Sequence, residues 1–340
     1  MKINRLVVCL WLLTFFGSQS AADADAPASF PVEEKVLIME TFHMARQLCE
    51  SVWPGWKPLP FPVLLLADER SFLFHYPSKP DGFESYPDAP DMGGPVYVRN
   101  RQFPPNLLAT FPAFGLIPVV VVGTPEKTGK TPLEWVITLL HEHFHQYQMM
   151  APGYFEAVQK LIPARGDETG QWMLTYPFPY DDPGIGQKIR RLGKQLAALL
   201  RRPDRNREAF ERFRENFRTF LKGLRPGDRQ YFSFQVWQEG VARYVEVRVA
   251  EVAAGAYQPS LDFKRWFDKE SFANVAQRLR ARMMKDISNI QLSQTRRVTF
   301  YSFGAAVAFL MDKMSLPWKT RYLEHRFHFG DDWIKGGLRM

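Results

Sequence analysis

An α+β fold is the class this sequence predicts, with a small, mostly antiparallel sheet lobe followed by a larger helical lobe. Three observations predict it. Short β-like runs bounded by Pro and Gly crowd residues 61–123. From residue 131 onward the apolar residues recur mainly at helical spacing. Finally, 46% of the 340 residues are hydrophobic and 24% are charged, a globular balance that excludes a disordered or collagen-like chain.

The elements follow in order. Lys2 and Arg5 precede an apolar run from Leu6 to Phe16, and small residues follow. That run is too short to span a bilayer, so residues 1–22 are assigned as a signal peptide and residues 23–31 as a linker. The mature protein is expected to be secreted or periplasmic, with no transmembrane anchor left. Cys49 is then its only cysteine, so no intramolecular disulfide can form. It falls on the stripe Ile38, Phe42, Ala45, Cys49, Val52 of a helix from Val32 to about Val52, and reads as a buried structural thiol.

Residues 32–340 are expected to form one working unit, with 32–130 as the α/β lobe and 131–340 as the helical lobe. Strand-like runs lie at 61–67, 72–75, 96–99 and 116–123, and irregular loops fill the span from Tyr76 to Gly94. Thr131 then opens a strong helix: its hydroxyl can cap free amides, Pro132 takes the first helical position, and Glu134 can complete a capping box. Further helices are expected at 153–161, 185–201, 206–221, 229–253, 271–290 and 299–314, with a short one after Ser315.

Chemistry concentrates in His141-Glu142-His143-Phe144-His145 on that capped helix. His141 and His145 are four residues apart, about 40° around the axis, so both imidazoles face one point. That geometry suits two ligands of a tetrahedral zinc, with Glu142 close enough to hold a water and take its proton. His143 points away while the segment stays helical. A third protein ligand is needed, and Glu239 is the best candidate, because Gly240 after it lets its helix approach closely. The histidine spacing of metallo-β-lactamase-like hydrolases is disfavoured: His141 and His143 match its first pair, but His145 stands where an Asp should be, Gln146 where the last His should be, and Thr131-Pro132 commits the segment to helix.

The H-E-x-x-H helix, followed by a W-x-E-G-x-A-x-Y helix at Trp237 to Tyr244, resembles the gluzincin group of zinc metallopeptidases, the thermolysin-like superfamily. The resemblance implies a zincin-like fold, zinc held by His141, His145 and Glu239, and Glu142 as general base. Two departures stand out. Glu239 follows His145 by 94 positions, a longer gap than in thermolysin-type enzymes, and no G-x-M-E-N motif precedes the zinc helix to anchor a substrate amino terminus. Such an enzyme also needs a donor for the developing oxyanion. Tyr301, in a Y-x-x-G element ending at Gly304, is the first choice, with Tyr244, His325 and His328 as alternatives.

Basic charge is local. Residues 188–229 hold 14 Lys or Arg against 5 Asp or Glu, an excess of nine beside a whole-chain charge of +8. The insertion (185–228) reads first as a helical hairpin that packs Phe210, Phe213, Phe217 and Phe220 inward and solvates its arginines. A second reading makes it a lid or wall attracting an anionic envelope surface. Nucleic acid is not expected, since no recognised binding motif is present.

The sequence thus points to an exported zinc-dependent metallohydrolase acting on a peptide or protein substrate. The alternative is a non-catalytic envelope-binding protein with a structural metal site.

Overall fold

A computed structural model describes residues 30–58, 60–87, 92–267 and 270–328. The assigned signal peptide and most of the linker lie outside these described residues. Six strands are present: β1 (Val63–Leu66), β2 (Arg70–Phe74), β3 (Glu84–Ser85), β4 (Val96–Asn100), β5 (Leu108–Phe111) and β6 (Val119–Gly123).

Two-residue alternation sorts their side chains. Val63, Leu65, Phe72, Phe74, Val120 and Val122 join the main core under the helices. Leu64, Leu66, Leu73, Val119 and Val121 form a second core on the opposite face, beneath residues such as Phe103 and Phe114. Coverage of both faces is why β1 and β6 read as unbroken apolar runs. The strands form one sheet in the order β3-β4-β2-β1-β6-β5. Every neighbouring pair is antiparallel except β1 and β6, which run parallel with Val63 opposite Val120. The sheet is therefore mixed, though mostly antiparallel as expected. β3 falls inside a stretch expected as loop, and β5 was not foreseen. Among the described residues β5 is an edge, bonded on one side only.

The helices follow the sequence closely. Val32–Val52 is helical, and Cys49 is buried on it with its thiol pKa pushed well up by burial. The histidine helix, Pro132–Met149, begins where Thr131 Oγ1 accepts the Glu134 amide at 3.3 Å. The capping box is only half made. The Glu134 carboxylate takes Arg278 at 2.9 Å, and the Thr131 hydroxyl donates to Glu270 at 2.8 Å, so distant charges outcompete the local bond.

A long central helix is built from Pro226–Gln235, a π turn at Val236–Gly240, and Val241–Ala256. Across it lies the tyrosine helix, Thr299–Lys313. The two meet at a pair of glycines: a Cβ added to Gly240 would lie 2.6 Å from the Gly304 Cα. This is the close approach expected of Gly240, and it fixes Tyr301, one turn before Gly304, against the π turn.

The basic insertion is a pair of helices, Pro183–Arg201 and Arg207–Lys222. Phe210, Phe213, Phe217 and Phe220 are buried, and Phe217 packs on Phe232 and Phe303. Arg212, Arg214 and Arg218 pair with Glu208, Glu211 and Glu215 of their own helix. Among the described residues no helix is long and apolar enough to cross a membrane.

Candidate metal centre

Helical phase places the first two donors. His141 and His145 turn their Nε2 atoms toward each other at 3.2 Å, and the Nε2 of His145 lies 3.5 Å from Glu239 Oε2. One donor atom from each of the three residues lies within 4.8 Å of the others. Two nitrogens bound at 2.0–2.1 Å to a tetrahedral ion would stand about 3.3 Å apart. The two imidazoles are thus already at ligand spacing. The Glu239 carboxylate, 22% exposed, opens on the cavity, whereas the side chains of the two histidines are only 6% exposed. This His-His-Glu group could hold a metal ion.

The π turn brings the third donor into place. Extra residues in a turn shift the phase of a helix, and such turns recur at functional sites. Here the shift lets two consecutive residues address one imidazole: Gln238 Nε2 lies 3.0 Å from His145 Nδ1, while Glu239 faces Nε2. Gln238 is itself fixed, because its Oε1 accepts the Tyr154 hydroxyl at 2.9 Å.

Both histidines are held from behind. Gln148 Oε1 lies 2.7 Å from His145 Nδ1; donation of Nδ1–H to it leaves a lone pair on Nε2. The Gln148 amide in turn donates to Tyr322 Oη at 2.6 Å and to the Gln238 carbonyl at 3.0 Å. Nδ1 of His141 faces Glu246 Oε2 at 3.1 Å, and the same oxygen takes Arg243 Nη1 at 2.6 Å. An imidazole backed by a carboxylate is the usual outer arrangement of a metal-ligating histidine.

The charges are coupled. Burial lowers the pKa of His145, but the charge and hydrogen bond of Glu239, with Glu142 behind, push it up to about 9. Burial raises Glu239, but His145, then His141 and Arg297, pull it down to about 2. Glu246 follows the same logic: burial raises it, and Arg243 and His141 bring it to about 2. The site is therefore a buried charge network that a cation can enter by displacing the His145 proton.

Glu142 lies beside these donors. Its Oε2 accepts the Thr110 hydroxyl at 2.7 Å, so the edge strand β5 orients it. His143 points the other way, stacked on Phe61 with ring centroids 3.9 Å apart and bonded to the Lys57 carbonyl at 3.0 Å.

His141, Glu142, His145, Glu239 and Tyr301 line one cavity of about 310 Å³. The Tyr301 hydroxyl accepts a bond from Arg297. Burial, then the nearby Glu239 charge, hold its pKa well above the ordinary tyrosine value against the opposing Arg297, so it keeps its proton. Neither Tyr244, His325 nor His328 lines the cavity; the Tyr244 hydroxyl donates to Asp312 instead. No residue of the basic helices lines it either, so they do not wall the site.

Sequence reasoning missed Glu246, Gln148, Thr110, Arg243 and Arg297. Two carried a local signal: Arg297 precedes Tyr301 by one helical turn, and Glu246 follows Glu239 by two. Compared with family models, curated proteins and solved structures, the chain shows no match.

Proposed function

We propose that this protein is an exported zinc-dependent metallohydrolase with a zincin-like architecture, acting as a peptidase. One observation carries the reading. Two imidazoles at ligand spacing and a carboxylate converge in a cavity where a further carboxylate, Glu142, stands beside them without belonging to the donor set. A purely structural site has no use for that extra base. The donor set, two nitrogens and one oxygen lining a cavity, would suit catalytic zinc, which takes three protein ligands and leaves a place for water or substrate. The resemblance of the two helical motifs to gluzincins supports the same reading.

Zinc, when bound, supplies Lewis acidity toward a carbonyl and toward water. The chain's own residues do the rest. Thr110 holds one oxygen of Glu142, leaving the other to take the proton of the attacking water and later pass it to the departing amine. The Tyr301 hydroxyl accepts from Arg297 and is hydrogen-bonded to Glu239, which holds it beside the donor set, where it can give its proton to the oxyanion once a substrate is bound. The unpaired side of β5 lines the cavity from Leu108 to Phe111, and an extended peptide can add to such an edge through main-chain hydrogen bonds.

The test is Glu142→Gln. The variant should keep its zinc and lose hydrolysis of an unstructured protein such as casein by about 10²- to 10⁴-fold. Full activity in the variant would refute the mechanism. A wild type that binds zinc but cleaves nothing would favour the non-catalytic alternative.

A further inference from the structure

The cavity has a direction. Thr138, His141, Glu142, His145 and Met149 all line it, so it follows one stripe of the histidine helix for about 16 Å. Neighbouring elements lie along the same axis. Gly123, at the end of β6, accepts the Trp135 indole N–H near the start of the helix, and Pro118, just before β6, accepts Gln146 near its end. β6 therefore runs against the helix, and β5, antiparallel to β6, runs with it. The central helix also runs against it, since Gln238 meets Gln148 and Glu246 meets His141.

The charges lining the cavity differ in balance along this axis: Glu246 offsets one of two cations toward the amino-terminal end of the helix, and Arg297 offsets Glu239 farther along. Lys130 precedes the helix and lies at its amino-terminal end, where Leu108 of β5 also lines the cavity. Arg243 sits on the same side of the metal-binding group, two contacts of 3.1 and 2.6 Å away from His141 through Glu246. Its side chain is 27% exposed and lines the cavity. Among the described residues the Lys130 ammonium closes no salt bridge, and Glu246 feels its charge. At the opposite end, where Gln235 donates to the Met173 carbonyl, the wall includes Glu168 and Asp167, the latter already accepting from Thr169 and Trp172.

A peptide added antiparallel to β5 would run from the Phe111 end to the Leu108 end. Its carboxyl-terminal part would therefore meet Lys130 and Arg243, and its amino-terminal part the acidic wall. A free edge can take a peptide in either direction, and the wall charge favours this antiparallel one.

We infer that Lys130 and Arg243 form a carboxylate subsite on the leaving-group side of the scissile bond, which selects substrates bearing a carboxylate within a residue or two after it. The inference rests on the peptidase reading and adds a substrate class to it. The carboxylate can be a free chain terminus or an acidic side chain.

Binding of the peptide Ala-Ala-Phe-Ala-Ala to the zinc-loaded Glu142→Gln chain, measured by calorimetry, tests this without turnover. Three forms are compared: the free acid, the amide, and an amide with Asp in the fourth position. One of the two charged forms should bind about 10- to 100-fold more tightly than the plain amide, the range of a charged hydrogen bond. The stronger of the two identifies the source of the carboxylate.

Lys130→Gln should cut that preference severalfold. Arg243→Lys keeps an ion pair for Glu246, so it should retain zinc while losing the forked contact. Equal binding of all three peptides, or a preference unmoved in both variants, overturns the subsite. Absence of any peptide binding, together with activity that is independent of Glu142, overturns the peptidase reading itself and the subsite with it.

Discussion

A single residue separates His143 from His145, yet the first stacks on Phe61 and the second faces Glu239 across the cavity. Both are buried. Burial acts on each in the same direction, disfavouring the charged ring. At His143 nothing reverses it: Gln146 and the Lys57 carbonyl favour the charge only weakly, and the pKa falls to about 4. At His145 two carboxylates overwhelm burial and the pKa rises to about 9. Burial alone therefore predicts little. What the helix turns each ring toward decides whether it becomes a packing element or a cation-binding one.

Substitutions can break this contrast. His145→Ala should have the largest effect, removing a donor and lowering zinc affinity well beyond the roughly 10- to 100-fold cost of losing an outer partner. Zinc competition with a chromogenic chelator measures it; affinity equal to wild type would remove His145 from the site.

His143→Ala should do the opposite. Zinc binding should persist, while denaturant unfolding shows a loss of about 2–4 kcal/mol from the emptied stack on Phe61 and the stranded Gln146. Lost zinc with unchanged stability would reverse the assignment of the two faces.

Glu246→Gln sharpens the picture on the cavity side. It removes the charge behind His141 and should weaken zinc about 10- to 100-fold. An unchanged affinity would mean that Glu246 serves only Arg243. The smallest effect is expected at the helix crossing. In Gly304→Ala the new Cβ would lie 2.7 Å from the Gly240 Cα and 2.9 Å from the Val236 carbonyl, backbone atoms that cannot swing aside. A loss of about 1–3 kcal/mol should follow on thermal or urea unfolding. A neutral result would show that the π turn tolerates retreat of the tyrosine helix.

Local rules made much of this legible. Thr131 and Pro132 mark the start of the histidine helix, and four-residue spacing pairs His141 with His145, because a helix repeats on that scale. Gly240 signalled close packing, although not that Gly304 would be what it meets. The short strand β5, four residues ending against Pro112, carried too little pattern to be seen. The parallel pairing of β1 with β6 was equally hidden, since unbroken apolar runs do not reveal strand direction.

The partners of the site were the least legible part. Gln148, Thr110 and Arg243 acquire meaning only when separate elements settle into register. The Glu134 carboxylate, expected to close a local box, instead found Arg278 on another helix. The π turn lay beyond sequence reasoning too, because a regular helix was the natural expectation for Trp237 to Tyr244.

The central claim is that His141, His145 and Glu239 hold one zinc ion. X-ray absorption at the zinc edge of the purified, zinc-equilibrated chain tests it most directly. The account predicts one zinc per chain, with two imidazole nitrogens and a carboxylate oxygen at about 2.0–2.2 Å. Substoichiometric zinc, or a coordination shell without imidazole, would contradict it.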